Sequence, residues 1–161
     1  MKRLALKFPN WARAVFSLSL LLSLVTGLLW FCLGRWGQVE GEFGPEKHPW
    51  LASLAKLHGA GAFIAMISFG MVLAGHVPVA WRTKWSRRSG MLTVAVIWIS
   101  IFTAYGLYYS GDDALREKLV WIHLGSGMAI PISIVGHIWS GRRRARKKEH
   151  DSRPLIISSS P

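Results

Sequence analysis

Four uncharged, mainly apolar runs punctuate the chain at residues 14–34, 57–80, 91–110 and 119–141. Each approaches the ~20 residues with which an α-helix crosses the hydrocarbon core of a bilayer. The pattern predicts an all-α, four-helix transmembrane bundle over residues 1–141. A basic tail, 142–161, follows it and is expected to be disordered. The first run is longer than a signal-peptide core and ends in Leu28-Leu29-Trp30-Phe31 without a small-residue cleavage motif, so it reads as an uncleaved span.

Composition agrees with this pattern. The chain has 161 residues, of which 51% are hydrophobic. Its mean hydropathy is +0.29, too apolar for an ordinary soluble domain. Of 20 Lys and Arg residues, 15 fall in three segments that alternating spans bring to one side. These are Lys2, Arg3, Lys7 and Arg13; Arg82, Lys84, Arg87 and Arg88; and Arg142, Arg143, Arg144, Arg146, Lys147, Lys148 and Arg153. The opposite side has Arg35, Lys47, Lys56, Arg116 and Lys118, with six of the eight acids. That asymmetry predicts both termini in the cytoplasm. A net charge of +12 suggests nucleic acid in a soluble protein. Here the basic clusters flank spans and read as topogenic signals and lipid-headgroup contacts, leaving nucleic acid no role. The single cysteine, Cys32, excludes an intramolecular disulfide and a Cys-based metal cluster.

Four histidines lie inside the apolar runs, His58 and His76 in the second and His123 and His137 in the fourth. At about 100° per residue, the step from His58 to His76 returns to the same helix face, and that from His123 to His137 falls about 40° short. An imidazole at membrane depth is costly without a partner, and neutral imidazole is an axial ligand of haem iron. With the second and fourth spans running in the same direction, His58 and His123 share an outer level and His76 and His137 an inner one. The pairs His58–His123 and His76–His137 therefore predict two haem b groups, each bis-histidine ligated and suited to electron transfer. The axial separations, about 27 Å and about 21 Å, differ by roughly one turn. A tilt of the second span and a bend at Pro131 are expected to take up part of that difference, and Pro78 to loosen the end of the second span.

Other residues fill in the picture. Gly59, Gly61, Gly70 and Gly75 in the second run, with Gly125, Gly127 and Gly136 in the fourth, leave space for a flat ring; they equally suit plain helix packing. Lys56 and Arg116 outside and Arg82 inside are candidate partners of haem propionates. Nine tryptophans fit an interfacial belt. Tyr105, Tyr108 and Tyr109 cluster at one span end, where a quinone is a further candidate ligand. His48 and His150 read as solvated. No catalytic residue is expected.

The segments Leu57-His58-Gly59-Ala60-Gly61, Ala74-Gly75-His76-Val77-Pro78, Trp121-Ile122-His123-Leu124-Gly125 and Val135-Gly136-His137 resemble the four-helix diheme b-type cytochromes. That superfamily includes the membrane b subunits of respiratory dehydrogenases and hydrogenases and the N-terminal bundle of quinol-oxidising cytochrome b. The likeness spans about residues 14–141 and is nearest to a short bacterial family of unknown function. The resemblance implies a bacterial inner membrane and an electron-transfer subunit of a larger oxidoreductase. It also implies a link between membrane quinone and a periplasmic c-type cytochrome or a dehydrogenase subunit. A transmembrane ferric reductase is the alternative within the haem class. A haem-free proton-conducting bundle and a structural anchor stand outside it. The second span departs from cytochrome b by its longer step between histidines, and that family's quinol-site loop has no counterpart.

Overall fold

The computed structural model describes residues 9–82 and 86–151. Four α-helices dominate: α1 (Asn10–Trp36), α2 (Leu51–Arg82), α3 (Arg87–Tyr109) and α4 (Asp113–Asp151). The fold is all-α, and all four helices are long and apolar enough to cross a membrane. Each starts before its apolar segment, and α1, α2 and α4 also end beyond theirs, because helix ends are set by capping and propensity rather than by hydropathy. Asp112 illustrates this at the start of α4, where its Oδ1 accepts the Leu115 N–H at 2.6 Å as an N-cap. This loop acid is thus used structurally. Helix α2 continues four residues beyond Pro78, to Arg82.

Two elements differ from expectation. The α1–α2 connection contains a small antiparallel hairpin, β1 (Val39–Gly41) and β2 (Gly44–Glu46), joined by the two-residue turn Glu42-Phe43. Gly44 adopts φ +119°, where a side chain would be strained. Three-residue strands carry too little alternation to be read in advance. The second difference is in the tail. Residues 142–151, expected to be disordered, continue α4 without a break. Arg, Lys and Ala are strong helix formers, and cations near a helix C-terminus complement its dipole. Residues 152–161 lie outside the described residues.

The chain divides into two compact units, Met1–Thr83 and Lys84–Pro161. Within each, consecutive helices pack antiparallel as a hairpin. In the first, α1 buries Ala12, Ser19 and Thr26, a seven-residue repeat of small and hydroxyl side chains. Facing them, α2 buries Leu54, Gly61, Ala65, Ser68 and Phe69. In the second, α4 presents His123, Ser126, Ile130, Ser133, His137 and Ser140 at alternating steps of three and four, with Ser126 and Ile130 buried. Spacing of this kind keeps one seam facing one partner along a left-handed antiparallel pair.

Hydroxyls in these seams return their hydrogen to their own helix. Thr26 donates to the Leu22 carbonyl at 2.6 Å, Thr103 to Ile99 at 2.8 Å and Ser133 to Ile130 at 2.8 Å. Such back-bonding satisfies a polar group where no water is available. The outward faces are apolar, with Leu18 65%, Phe102 65% and Ile132 72% exposed. A chain surrounded by water would bury such residues, whereas acyl chains solvate them.

Gly61 sets the spacing of the first hairpin. A Cβ there would lie 3.2 Å from the Ser19 carbonyl oxygen and from the Ser23 nitrogen, both α1 backbone atoms. Leucine at position 61 must push the helices apart. Its expected cost is about 1–3 kcal/mol, as for other overpacked cores. Thermal unfolding of the purified variant in detergent, followed by circular dichroism, measures it; an unchanged midpoint contradicts this packing.

Candidate functional site

The four apolar-run histidines occupy the seams or their edges. His58, His123 and His137 are half-buried and His76 is exposed. His123 and His137 stand two seven-residue repeats apart. The 40° shortfall for a straight helix therefore vanishes in the seam, where equivalent positions recur every seven residues. In the first hairpin, Gly27 lies against His58 and Gly34 against Leu51. Continued along the helices, that register brings His76 level with the first turn of α1, which begins at Asn10. The extra four residues in the α2 step thus carry His76 toward the helix end and away from the seam.

Three imidazoles are oriented by the helix that precedes their own. His58 Nδ1 lies 2.8 Å from the Ser23 carbonyl oxygen. A carbonyl only accepts, so Nδ1 carries the hydrogen and the neutral ring keeps its lone pair on Nε2. The Ser23 hydroxyl adds a long contact, 3.4 Å, to the His58 carbonyl. Gly27, one turn after Ser23, makes this approach possible. A Cβ on it would lie 2.8 Å from both Cε1 and Nδ1 of the ring.

In the second hairpin, His123 Nδ1 lies 3.1 Å from the Ser100 carbonyl oxygen and 3.1 Å from Thr103 Oγ1. Thr103 directs its own hydrogen to the Ile99 and Ser100 carbonyls, so its oxygen accepts from His123. His137 Nδ1 lies 3.0 Å from Ser89 Oγ. Ser140 donates to the His137 carbonyl at 2.9 Å. Ser89 Oγ also has the Ser86 carbonyl at 3.1 Å and Ser140 Oγ at 2.9 Å. A hydroxyl can take either role in its bond with His137 Nδ1, so here the contact orients the ring without fixing its tautomer. Gly90 clears the ring, its virtual Cβ being 3.3 Å from His137 Cε1.

His58 and His123 have the arrangement that a metal-binding histidine requires: one nitrogen bonded to an acceptor that fixes tautomer and ring plane, the other basic. Near the rings, Gly59, Gly70 and Gly75 on α2 and Gly125, Gly127 and Gly136 on α4 have nothing within 4 Å of a virtual Cβ. Gly61 alone of that group serves helix contact. Among the described residues no three or more His, Cys, Asp or Glu side chains group as a metal cluster. Axial haem ligation needs one imidazole on each face of the iron, a smaller set.

The remaining candidates divide. Arg116 donates to the Leu107 carbonyl at 2.7 Å, satisfying an end of α3. Lys56 and Arg82 are exposed, at opposite ends of α2. His48 accepts the Trp50 N–H at Nδ1, 3.2 Å, and so helps to start α2. The supporting residues Ser23, Gly27, Ser89, Gly90, Ser100 and Ser140 were missed in the sequence. For those on α1 and α3 the signal was the recurrence of small and hydroxyl side chains along the helix, and for Ser140 its place three residues after His137.

Ser89→Ala removes the hydroxyl hydrogen-bonded to His137 Nδ1. Loss of one hydrogen bond between membrane helices is expected to destabilise the second hairpin by about 1 kcal/mol, and Ser89→Thr to restore it. Thermal midpoints of the two variants give the comparison, and equal midpoints for alanine and threonine count against the assignment. No family model, curated protein or solved structure matches the chain.

Proposed function

We propose that this protein is a multi-pass membrane cytochrome of b type, carrying two haems and passing electrons between the faces of a bacterial inner membrane, with both termini cytoplasmic. His58 and His123 would hold one haem and His76 and His137 the other, the pairing that four alternating spans imply from the order of the histidines in the sequence. One observation carries the reading. His58 and His123, in apolar helices of different hairpins, each have Nδ1 against a carbonyl oxygen of the preceding helix, which leaves Nε2 the basic nitrogen for iron. A proton-conducting histidine needs both nitrogens in exchange with water, and acceptors fixed in apolar seams oppose that.

Bound haem supplies reversible one-electron chemistry; the chain supplies ligands, insulation and tuning of potential. The glycines without neighbours on α2 and α4 fit the edge of a flat ring. Lys56 and Arg82 suit propionates at the two interfaces. The apolar outward faces keep water from the centres. Quinone is proposed as the membrane-soluble carrier, and a periplasmic c-type cytochrome or a dehydrogenase subunit as the protein partner.

Protein purified from haem-replete cells tests the proposal. A reduced-minus-oxidised spectrum with a pyridine haemochrome assay is expected to give two b haems per chain. A preparation without a Soret band refutes it and leaves the haem-free alternatives.

A further inference from the structure

The cytoplasmic end of α4 carries charge that electron transfer does not explain. The last apolar seam residue is Ser140, yet the helix continues to Asp151. Arg142, Arg143, Arg144, Arg146, Lys147 and Lys148 follow within six steps, all exposed. At 1.5 Å per residue they occupy about 9 Å of helix axis, close to the ~5–8 Å of headgroup on each side of a bilayer. At 100° per residue they fan over about 240° of the circumference. The guanidinium of Arg143 lies over the Trp139 ring, 3.5 Å from its centroid. A tryptophan at a span end sits at headgroup depth, so this stack fixes the first of the charges there.

We infer that this collar binds the phosphates of anionic phospholipids in the leaflet on the side of the termini, in preference to zwitterionic ones. The inference rests on α4 spanning the bilayer, and not on haem. The angular spread decides between occupants. A protein surface meets one side of a helix and would leave half of these cations unmatched, whereas lipids surround it. The helical form of residues 142–148 also matters, since a disordered tail would hold no fixed ring of charge at one depth. Headgroup attraction of ~1 kcal/mol for each Lys or Arg corresponds to about fivefold in occupancy.

The full chain, reconstituted in vesicles of equimolar phosphatidylglycerol and phosphatidylcholine with identical acyl chains, is first washed with carbonate and then extracted for native mass spectrometry. Retained phosphatidylglycerol should exceed phosphatidylcholine by at least fivefold. Arg146→Gln/Lys147→Gln/Lys148→Gln, which keeps Arg142, Arg143 and Arg144 for topology, should bring the ratio toward one. If that variant does not fold, raising salt from 0.1 to 1 M with the unaltered chain should do the same, because screening shortens from about 10 to 3 Å. Parity in the unaltered chain overturns the inference and returns the arm to an acidic protein face. Equal enrichment in chain and variant overturns it by putting the lipids elsewhere. Release by carbonate overturns it together with membrane insertion, and the haem assay stands apart from all three outcomes.

Discussion

Alanine at His137 or at His76 is expected to abolish one b-type centre and leave the other spectrally intact; alanine at His58 or His123 should do the converse. Each variant should fall from two haems per chain to about one in the pyridine haemochrome assay. The expectation follows from ligation by pairs, because an iron deprived of one imidazole loses its low-spin, six-coordinate state and most of its hold on the chain. The seams make the variants informative. His58 bonds Ser23 at 2.8 Å and His137 bonds Ser89 at 3.0 Å, in different hairpins. Removing either ring therefore disturbs separate packing. Proportionate loss of both centres in all four variants would mean that the pairing is wrong, and two haems surviving in all four would mean that the ligands are other residues.

Gly27→Ala should nearly match His58→Ala in its effect on the haem proposed at His58, while Gly90→Ala should be mild. A methyl group on Gly27 would lie 2.8 Å from two atoms of the His58 ring, inside any real contact distance. The ring must swing off the Ser23 carbonyl, losing its hydrogen bond and its orientation. At Gly90 the nearest ring atom is 3.3 Å away, which a few tenths of an ångström of movement relieves. The expected stability loss for Gly27→Ala is about 1–3 kcal/mol, as for overpacking elsewhere, with less than half of that centre retained. A double-mutant cycle isolates the cause. In a His58→Ala background the alanine at position 27 should be tolerated, giving a coupling energy comparable with the single loss. Additive losses would place the strain somewhere other than the ring.

The four helices and their order were legible in the sequence because an uninterrupted apolar run of spanning length has few other outcomes. The histidines stood out because polar groups are scarce in such runs. Their surroundings were hidden, since the hydrogen-bond partners lie 35 residues from His58 at Ser23 and 48 from His137 at Ser89. The glycines that clear the rings were hidden for a related reason. The glycines next to His58 and His137 in sequence point into open space, whereas Gly27 and Gly90, which clear the rings, lie on neighbouring helices. Proximity along a helix places the next residue about 100° away, so the residue that touches a ring is seldom its neighbour in sequence. The helical tail was misread because charge density alone suggested disorder, while Arg, Lys and Ala following a preformed helix simply extend it.

Every long-range hydrogen bond described above closes within one hairpin, Ser23 with His58 in the first and Ser89, Ser100 and Thr103 with α4 in the second. During biogenesis each half of the chain can therefore close these bonds as it is made, without waiting for the other. If the protein carries haem as proposed, loading would be a late maturation step on imidazoles already oriented, and the apoprotein a folded reserve instead of a substrate for quality-control proteases.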